Sequence, residues 1–309
     1  MVSGLTIAEE IATLKARRRA VILAHHYQDP EIQEMADSIG DAVELAQAAR
    51  GLGGEAIVFC GVRSMAETIK VLNPERVVVI PDQNAGCSLV DSCPAEGVRA
   101  FKRRNPEHVI VSYLNTSLEV QAESDFVCTS RNAIAVVNSI PAHKPILFVP
   151  DINLGNYVQK QTGRKNMKIW QGACIVHSTF PARRLAAARA QHPEALVAAH
   201  PECPGEVLRM ADFVGCPSAI VDWCTIQTAE EFIVVTESGV RYSLEKLAPA
   251  KRFYFVANES CNCSECPYMR LNSLEKLLAC LETLEPRVEP PAEIMLRARA
   301  PLERMLSVA

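Results

Sequence analysis

The chain has 309 residues, 49% hydrophobic and 22% charged, with a formal net charge of −4. That length suits two or three domains of roughly 100–150 residues, each with an ordinary core. The slight acidity, the lack of a basic block and an aromatic content of 6% exclude nucleic acid as the expected partner, and no run approaches the ~18 apolar residues of a membrane span.

The N-terminus, Met1 to Glu10, has neither the basic nor the apolar region of a signal peptide, so a cytoplasmic location is expected. Twelve cysteines without an export signal read as reduced thiols or ligands rather than disulfides. Leu5 to Arg19 predicts an amphipathic helix. Ala20 to Ala24 predicts a buried strand that runs into His25-His26-Tyr27-Gln28. Asp29-Pro30-Glu31 carries a cap, a first-turn proline and an acidic first turn, and predicts a helix running towards Arg50 and Gly51. A strand at Ala56–Cys60, a helix around Ser64–Leu72 and a strand at Val77–Ile80 follow, then Asn84-Ala85-Gly86-Cys87.

The same order then recurs. Val109–Tyr113 predicts a strand ending in Asn115-Thr116-Ser117, Asp125–Cys128 one ending in Thr129-Ser130, and Ile146–Val149 one ending in Pro150-Asp151. A strand near Met167–Trp170 leads to Gly172-Ala173-Cys174 and His177. In a third pass, Leu196–Ala199 ends in His200-Pro201-Glu202, Asp212–Val214 in Gly215-Cys216-Pro217-Ser218, and Phe232–Val235 in Thr236-Glu237. A last strand, Arg252–Val256, runs into the cluster Cys261, Cys263 and Cys266; Leu274–Leu284 and Ile294–Leu306 predict closing helices joined by a linker at Pro286–Pro291.

A fixed period points to duplicated units. His25 to Asn115 is 90 residues and Asn115 to His200 is 85; Cys87 to Cys174 and Cys174 to Cys261 are 87 each. The expected fold is α/β: three similar units, each a short parallel sheet between helices, arranged with pseudo-threefold symmetry around a central cavity. The expected boundaries are 1–86, 87–173 and 174–309, the last including the closing helices.

Ligands of open parallel sheets bind beyond the carboxyl ends of the strands, where this chain gathers its reactive residues. His200 and Glu202 offer an imidazole and a carboxylate for acid/base work, with His25 and Tyr27 similar candidates and His177 an ambiguous one. His108, His143 and His192 lie in proline-flanked loops and read as solvent-facing. One cysteine closes each third of the chain, so three thiolates are expected to converge. A structural zinc site takes four protein ligands, whereas a [4Fe–4S] cluster on three cysteines leaves one iron open. Gly51-Leu52-Gly53-Gly54 has neither the preceding strand nor the following lysine of a phosphate loop.

Taken together, His25-His26-Tyr27-Gln28 with Pro30-Glu31-Ile32-Gln33, Ala85-Gly86-Cys87, Tyr113-Leu114-Asn115-Thr116-Ser117, Pro150-Asp151 with Asn153-Leu154-Gly155, Gly172-Ala173-Cys174-Ile175-Val176-His177, His200-Pro201-Glu202-Cys203 and Cys266-Pro267-Tyr268-Met269 resemble the quinolinate synthase family over essentially the whole chain. The resemblance implies condensation of iminoaspartate with dihydroxyacetone phosphate to quinolinate, phosphate and water, as a step of NAD biosynthesis. An L-aspartate oxidase or dehydrogenase would supply the imine. It also implies a [4Fe–4S] cluster on Cys87, Cys174 and Cys266, catalysis by Glu202, His200 and Tyr27, and substrate binding by His25, Tyr113, Asn115 and Ser130. Two stretches depart from the family pattern. Gly-Asp-Ser-Leu reads Gly40-Asp41-Ala42-Val43 here, and Gly-Ser-Thr-Ser reads Gly215-Cys216-Pro217-Ser218. Other readings of the residues are an iron–sulfur hydro-lyase acting on another hydroxy acid, or a non-catalytic iron–sulfur or thiol sensor using Cys261, Cys263 and Cys266.

Overall fold

The computed structural model describes residues 5–258 and 264–308; Cys261 and Cys263 lie outside them. Among the described residues the strands form three four-stranded sheets, all parallel, each in the order second–first–third–fourth. The first unit runs α1 (Ile7–Arg17), β1 (Ala20–His25), α2 (Pro30–Met35), β2 (Ser38–Gly40), α3 (Ala42–Gly51), β3 (Ala56–Cys60), α4 (Arg63–Leu72) and β4 (Val77–Val79). The second has α5 (Ser88–Ser92), α6 (Ala95–Arg104), β5 (Val109–Tyr113), α7 (Leu118–Glu123), β6 (Phe126–Cys128), α8 (Ala133–Ser139), β7 (Ile146–Val149), α9 (Ile152–Thr162) and β8 (Met167–Ile169). The third has α10 (Ala182–Gln191), β9 (Leu196–Ala199), α11 (Gly205–Leu208), β10 (Phe213–Val214), α12 (Pro217–Ile226), β11 (Glu231–Val235), α13 (Val240–Leu247) and β12 (Arg252–Phe255).

One side chain marks the repeat in every unit. The backbone N–H of Ile22, Ile110 and Val197 donates to Oδ2 of Asp37, Asp125 and Asp212, at 2.8 Å each time. Each aspartate lies fifteen residues beyond its donor, so the unit spacing is 125 − 37 = 88 and 212 − 125 = 87. This register corrects the spacing expected between His25, Asn115 and His200. His25 is equivalent to Tyr113 and His200, and Tyr27 to Asn115 and Glu202. The strand pairings agree: His25 sits beside Gly40, Tyr113 beside Cys128, and Gly215 donates to the carbonyl of Ala199.

The single helix expected from Asp29 to Gly51 is also corrected. Ala36 leaves the helix in extended conformation, Asp37 turns back to bind Ile22, and Ser38–Gly40 pairs with Leu23–His25. The first strand must satisfy its outer edge, and that requirement outweighs helix continuation. Elsewhere the local signals hold. α4, α6, α10 and α13 each stop at a residue preceding proline (Asn73, Asn105, His192, Ala248), with φ between −130° and −137° and ψ between 61° and 71°. The proline ring pushes that residue out of the helical region.

Central strands are buried on both faces, as parallel sheets between helices require. Phe59 and its equivalent Phe148 are fully buried, each worth about 1.5–3 kcal/mol of transfer free energy. The two C-terminal helices pack on the first two units. α14 (Leu274–Thr283) lies against α1 and β3, and α15 (Ala292–Ser307) against α4, α7 and β6. Two histidines expected in solvent instead pack on aromatic rings: His108 edge-on to Phe101 at 5.1 Å, and His192 stacked on Tyr254 at 3.5 Å. Gly54, with φ of 122°, makes the turn into β3, where a Cβ would meet the carbonyl oxygen of Arg19 at 2.7 Å. No helix among the described residues is long and apolar enough to cross a membrane.

Candidate active site

The carboxyl ends of β1, β5 and β9 face one another, and the residues after them turn sharply. In the first unit the buried Gln33 side chain stitches this turn by donating to the carbonyls of His26 and Gln28 at 3.0 and 2.8 Å; Gln121 does the same for Leu114 and Thr116 at 3.0 and 3.3 Å. The turns surround one shared cavity. His25, Tyr27, Tyr113, Asn115, Ser130, His200, Glu202, Cys87, Cys174 and Cys266 all line it. The ten residues singled out in the sequence therefore meet in one place.

The two strand-end histidines are held alike. His25 Nδ1 accepts the N–H of Tyr27 at 3.1 Å, and His200 Nδ1 accepts the N–H of Glu202 at 3.3 Å. Burial pushes both imidazoles down to about 3. Each is neutral near pH 7, and with Nδ1 accepting, the ring proton sits on Nε2. Burial drives the phenols of Tyr27 and Tyr113 well above their usual range, so both remain protonated.

His177 proves central. Its Nδ1 lies 3.0 Å from Glu202 Oε2, its Nε2 lies 3.0 Å from Thr236 Oγ1, and the ring stacks on His200 at 4.3 Å. Thr236 Oγ1 in turn lies 2.7 Å from the Tyr27 hydroxyl. Burial opposes the charge on Glu202, but His200, the His177 hydrogen bond and the Tyr113 hydroxyl outweigh it and hold the carboxyl below its usual range. Glu202 is thus a buried carboxylate. Asn115 Oδ1 is buried and has no partner among the described residues, so the cavity offers an unanswered acceptor.

The three thiols share a local design. Each precedes a short helical turn whose amides point back at the sulfur: Leu89 and Val90 at Cys87, His177 at Cys174, Tyr268 and Met269 at Cys266. Amides so placed favour a charged sulfur. Burial nevertheless pushes Cys87 up to about 12, Cys174 well above its usual value, and Cys266 upward; Cys174 also feels charge on both of the others. Three clustered soft donors that repel one another when ionised are a set completed by a cationic centre, and a [4Fe–4S] cluster on three cysteines fits them. Cys174 Sγ, a His177 nitrogen and a Glu202 oxygen also lie within 4.8 Å of one another. Both nitrogens of His177 are already hydrogen-bonded, so that trio reads as part of the network.

Two further acidic side chains, each pushed up to about 8 by burial, hold the thiol loops. Asp151 Oδ2 accepts the N–H of Cys174 at 3.1 Å, and Glu237 Oε1 accepts that of Cys266 at 3.0 Å. From the strand register Asp151, Glu237 and Val62 are equivalent; in the first unit the Arg63 N–H bonds instead to the carbonyl of Ala85, two residues before Cys87, at 2.7 Å.

The family described as Quinolinate synthetase A protein matches residues 9–307 of this chain. The chain belongs to that family. It is 48% identical over 299 residues to a protein of Prochlorococcus marinus named quinolinate synthase, covering 96% of this chain and 90% of the relative. Proteins of the same name from Nostoc punctiforme and Thermosynechococcus vestitus are each 47% identical, over 306 and 307 residues, with 99% of this chain covered in both cases and 94% and 96% of the relatives. The chain is therefore an enzyme of the quinolinate synthase family. Thr236, Asp151 and Glu237 were not singled out as site residues in the sequence. The unit register would have exposed them: Asp151 and Glu237 share one strand-end position, where the first unit has Val62, and Thr236 stands where the other units have Gly61 and Pro150.

Proposed function

We propose that the chain condenses iminoaspartate with dihydroxyacetone phosphate to give quinolinate, phosphate and two waters, in NAD biosynthesis. The observation that carries this reading is the convergence of three amide-cradled thiols with a buried carboxylate and two neutral imidazoles on one cavity, in a chain of this family. The conversion needs no net oxidation; it needs carbon–carbon and carbon–nitrogen bonds, loss of phosphate and two waters, and several proton transfers.

Cys87, Cys174 and Cys266 would hold a [4Fe–4S] cluster, which with three protein ligands offers one open iron as a Lewis acid for a substrate hydroxyl or carboxylate oxygen. The remaining work falls to side chains. Glu202, ionised and hydrogen-bonded to His177, is the general base for carbon- and nitrogen-bound protons. Tyr27 is a protonated phenol suited to return a proton, and His25 and His200 present Nε2–H groups to anionic oxygens. His200 assists Glu202 from the adjacent face. Asn115 Oδ1 accepts from a substrate O–H or N–H, and Ser130 and Tyr113 orient the second carboxylate or the phosphate. The imine would come from oxidation of L-aspartate by an oxidase or a dehydrogenase.

The test is an anaerobic assay of cluster-loaded protein, with iminoaspartate generated in place and quinolinate measured directly. Quinolinate formation dependent on both substrates is the expected result. Cluster-loaded protein that forms none would overturn the reading.

A further inference from the structure

We infer that the Tyr268 ring is the outer wall of the thiol site, closing the gap between the Cys87 and Cys266 loops and keeping solvent-borne ligands from the sulfurs. This rests on the cluster-holding role proposed above for these thiols and adds the residue that guards them.

Cys87, Cys174 and Cys266 are partly exposed, whereas every other cysteine among the described residues is buried. Solvent therefore has a route to these three thiols that it lacks to the rest. Tyr268 lies between two of their loops. It follows Cys266 by two residues, in the third unit, yet its ring reaches the second. Its Cε1 and Cδ1 are 3.4 and 3.5 Å from where a Cβ on Gly86 would stand, and its hydroxyl donates to Asp91 Oδ2 of α5 at 3.4 Å. Gly86 immediately precedes Cys87, and Asp91 lies one helical turn beyond it. The ring thus spans from the Cys266 loop onto the Cys87 loop.

The repeat shows that the fold does not require such a ring. Leu89, Val176 and Tyr268 hold the same place, each two residues after the thiol of its loop. Leu89 is buried in the core of the second unit and Val176 in that of the third. Tyr268 packs at the edge of the first core and remains partly exposed. An aliphatic side chain serves at two of the three places. Only the third carries an aromatic ring that crosses to a neighbouring unit. A cluster on three cysteines has an incomplete protein ligand set, so its retention depends on how well the surrounding shell excludes water and competing ligands. The hydroxyl contact to Asp91 is long and exposed, so the shielding comes from the bulk of the ring.

The experiment compares Tyr268→Ala, Tyr268→Leu and Tyr268→Phe with the wild type in two ways. Cluster-loaded proteins are mixed anaerobically with the ferrous chelator bathophenanthroline disulfonate, and iron loss is followed by absorbance. Proteins prepared without metal are treated with iodoacetamide, and alkylation of each cysteine is mapped by mass spectrometry. In Tyr268→Ala, iron loss and alkylation of Cys87 and Cys266 should both run about tenfold faster, since a group is reached more often as the contacts that close over it are lost. Tyr268→Leu should be intermediate and Tyr268→Phe should match the wild type. The buried Cys128 should stay unreactive throughout. Wild-type rates in Tyr268→Ala, a phenylalanine variant as fast as the alanine one, or alkylation of Cys128 together with Cys87, which marks general loosening, would overturn the inference. A wild type that takes up no cluster would instead overturn the cluster assignment, and the alkylation series would still decide the role of Tyr268.

Discussion

Tyr27 and Glu202 occupy the same position in two different units: each lies two residues beyond a strand-end histidine and donates its backbone N–H to that histidine's Nδ1. The repeat has placed a phenol and a carboxylate on equivalent backbones, across one cavity from each other, with Asn115 as the third equivalent. An ancestral turn that presents a side chain to the centre has been given three different functional groups.

Glu202→Gln keeps the shape of this group and removes its charge. Turnover should fall by about 10²–10⁴-fold, the range for a positioned base, while the cluster spectrum is retained. Near-normal quinolinate output from this variant would remove Glu202 from the mechanism.

The thiol assignment predicts an all-or-none pattern. Cys87→Ala, Cys174→Ala and Cys266→Ala should each fail to retain iron and sulfide, since two thiolates hold such a cluster poorly. Cys128→Ala, a fully buried thiol of β6 in the core of the second unit, should retain them. Iron analysis and the visible spectrum after anaerobic purification decide this. Full loading of the Cys266 variant would mean that the third ligand lies elsewhere, and Cys261 and Cys263 are the first to try.

The parts of this molecule legible in the sequence are those written locally. Apolar runs bounded by proline and capping residues placed the first strand at Ala20, the helix that ends before Pro74 and the strand ends. Reactive side chains at those ends marked ten residues that share the cavity. What was not legible depends on pairing between distant residues. The short strand Ser38–Gly40 exists because β1 needs an edge partner, and no local pattern announces it. Likewise the equivalence of His25 with Tyr113 and His200 emerges only when Asp37, Asp125 and Asp212 are seen to bind the same backbone position. Thr236 and Glu237 look like any polar strand end until their neighbours across the sheets are known.

At the seam between the first two units, Arg131 bridges Asp41 Oδ2 at 2.9 Å and Glu44 Oε1 at 2.6 Å. Asp41 also caps α3 and is buried. Burial alone would raise its carboxyl, but Arg131 and the Cys216 thiol hold it below its usual range. Arg131→Gln should destabilise the protein by about 1–3 kcal/mol, less than the ~3–5 kcal/mol of a fully buried pair because the guanidinium is partly in water. A carboxyl depressed in the folded state contributes stability above its unfolded value near 4, and this is lost as pH falls through the lower folded value. The gap between wild type and variant, read from thermal midpoints, should therefore be full at pH 7 and 5 and narrow below about pH 4. A gap that persists at low pH would place the effect on packing instead.

The departures at Ala42 and Pro217 acquire a common meaning from the repeat. With units 88 and 87 residues apart, Ala42, Ser130 and Pro217 are equivalent, and all three line the cavity. Ala42 and Pro217 are the first residues of α3 and α12, whose amino ends carry partial positive charge suited to a phosphate or carboxylate. Only Ser130 adds a hydroxyl to this ring. Restoring one in Ala42→Ser should therefore tighten binding of dihydroxyacetone phosphate by about 0.5–1.5 kcal/mol, the net value of a single hydrogen bond, or about 2- to 12-fold in Kd. Proline lacks the N–H that the other two positions keep, so Pro217→Ser would restore a hydroxyl and a backbone donor together. Its gain should equal or exceed that of Ala42→Ser. Calorimetric titration of each cluster-loaded variant measures this directly. Unchanged or weaker affinity in both would mean that the substrate's anionic groups are held by other residues of the cavity, with the three equivalent positions acting only as its wall.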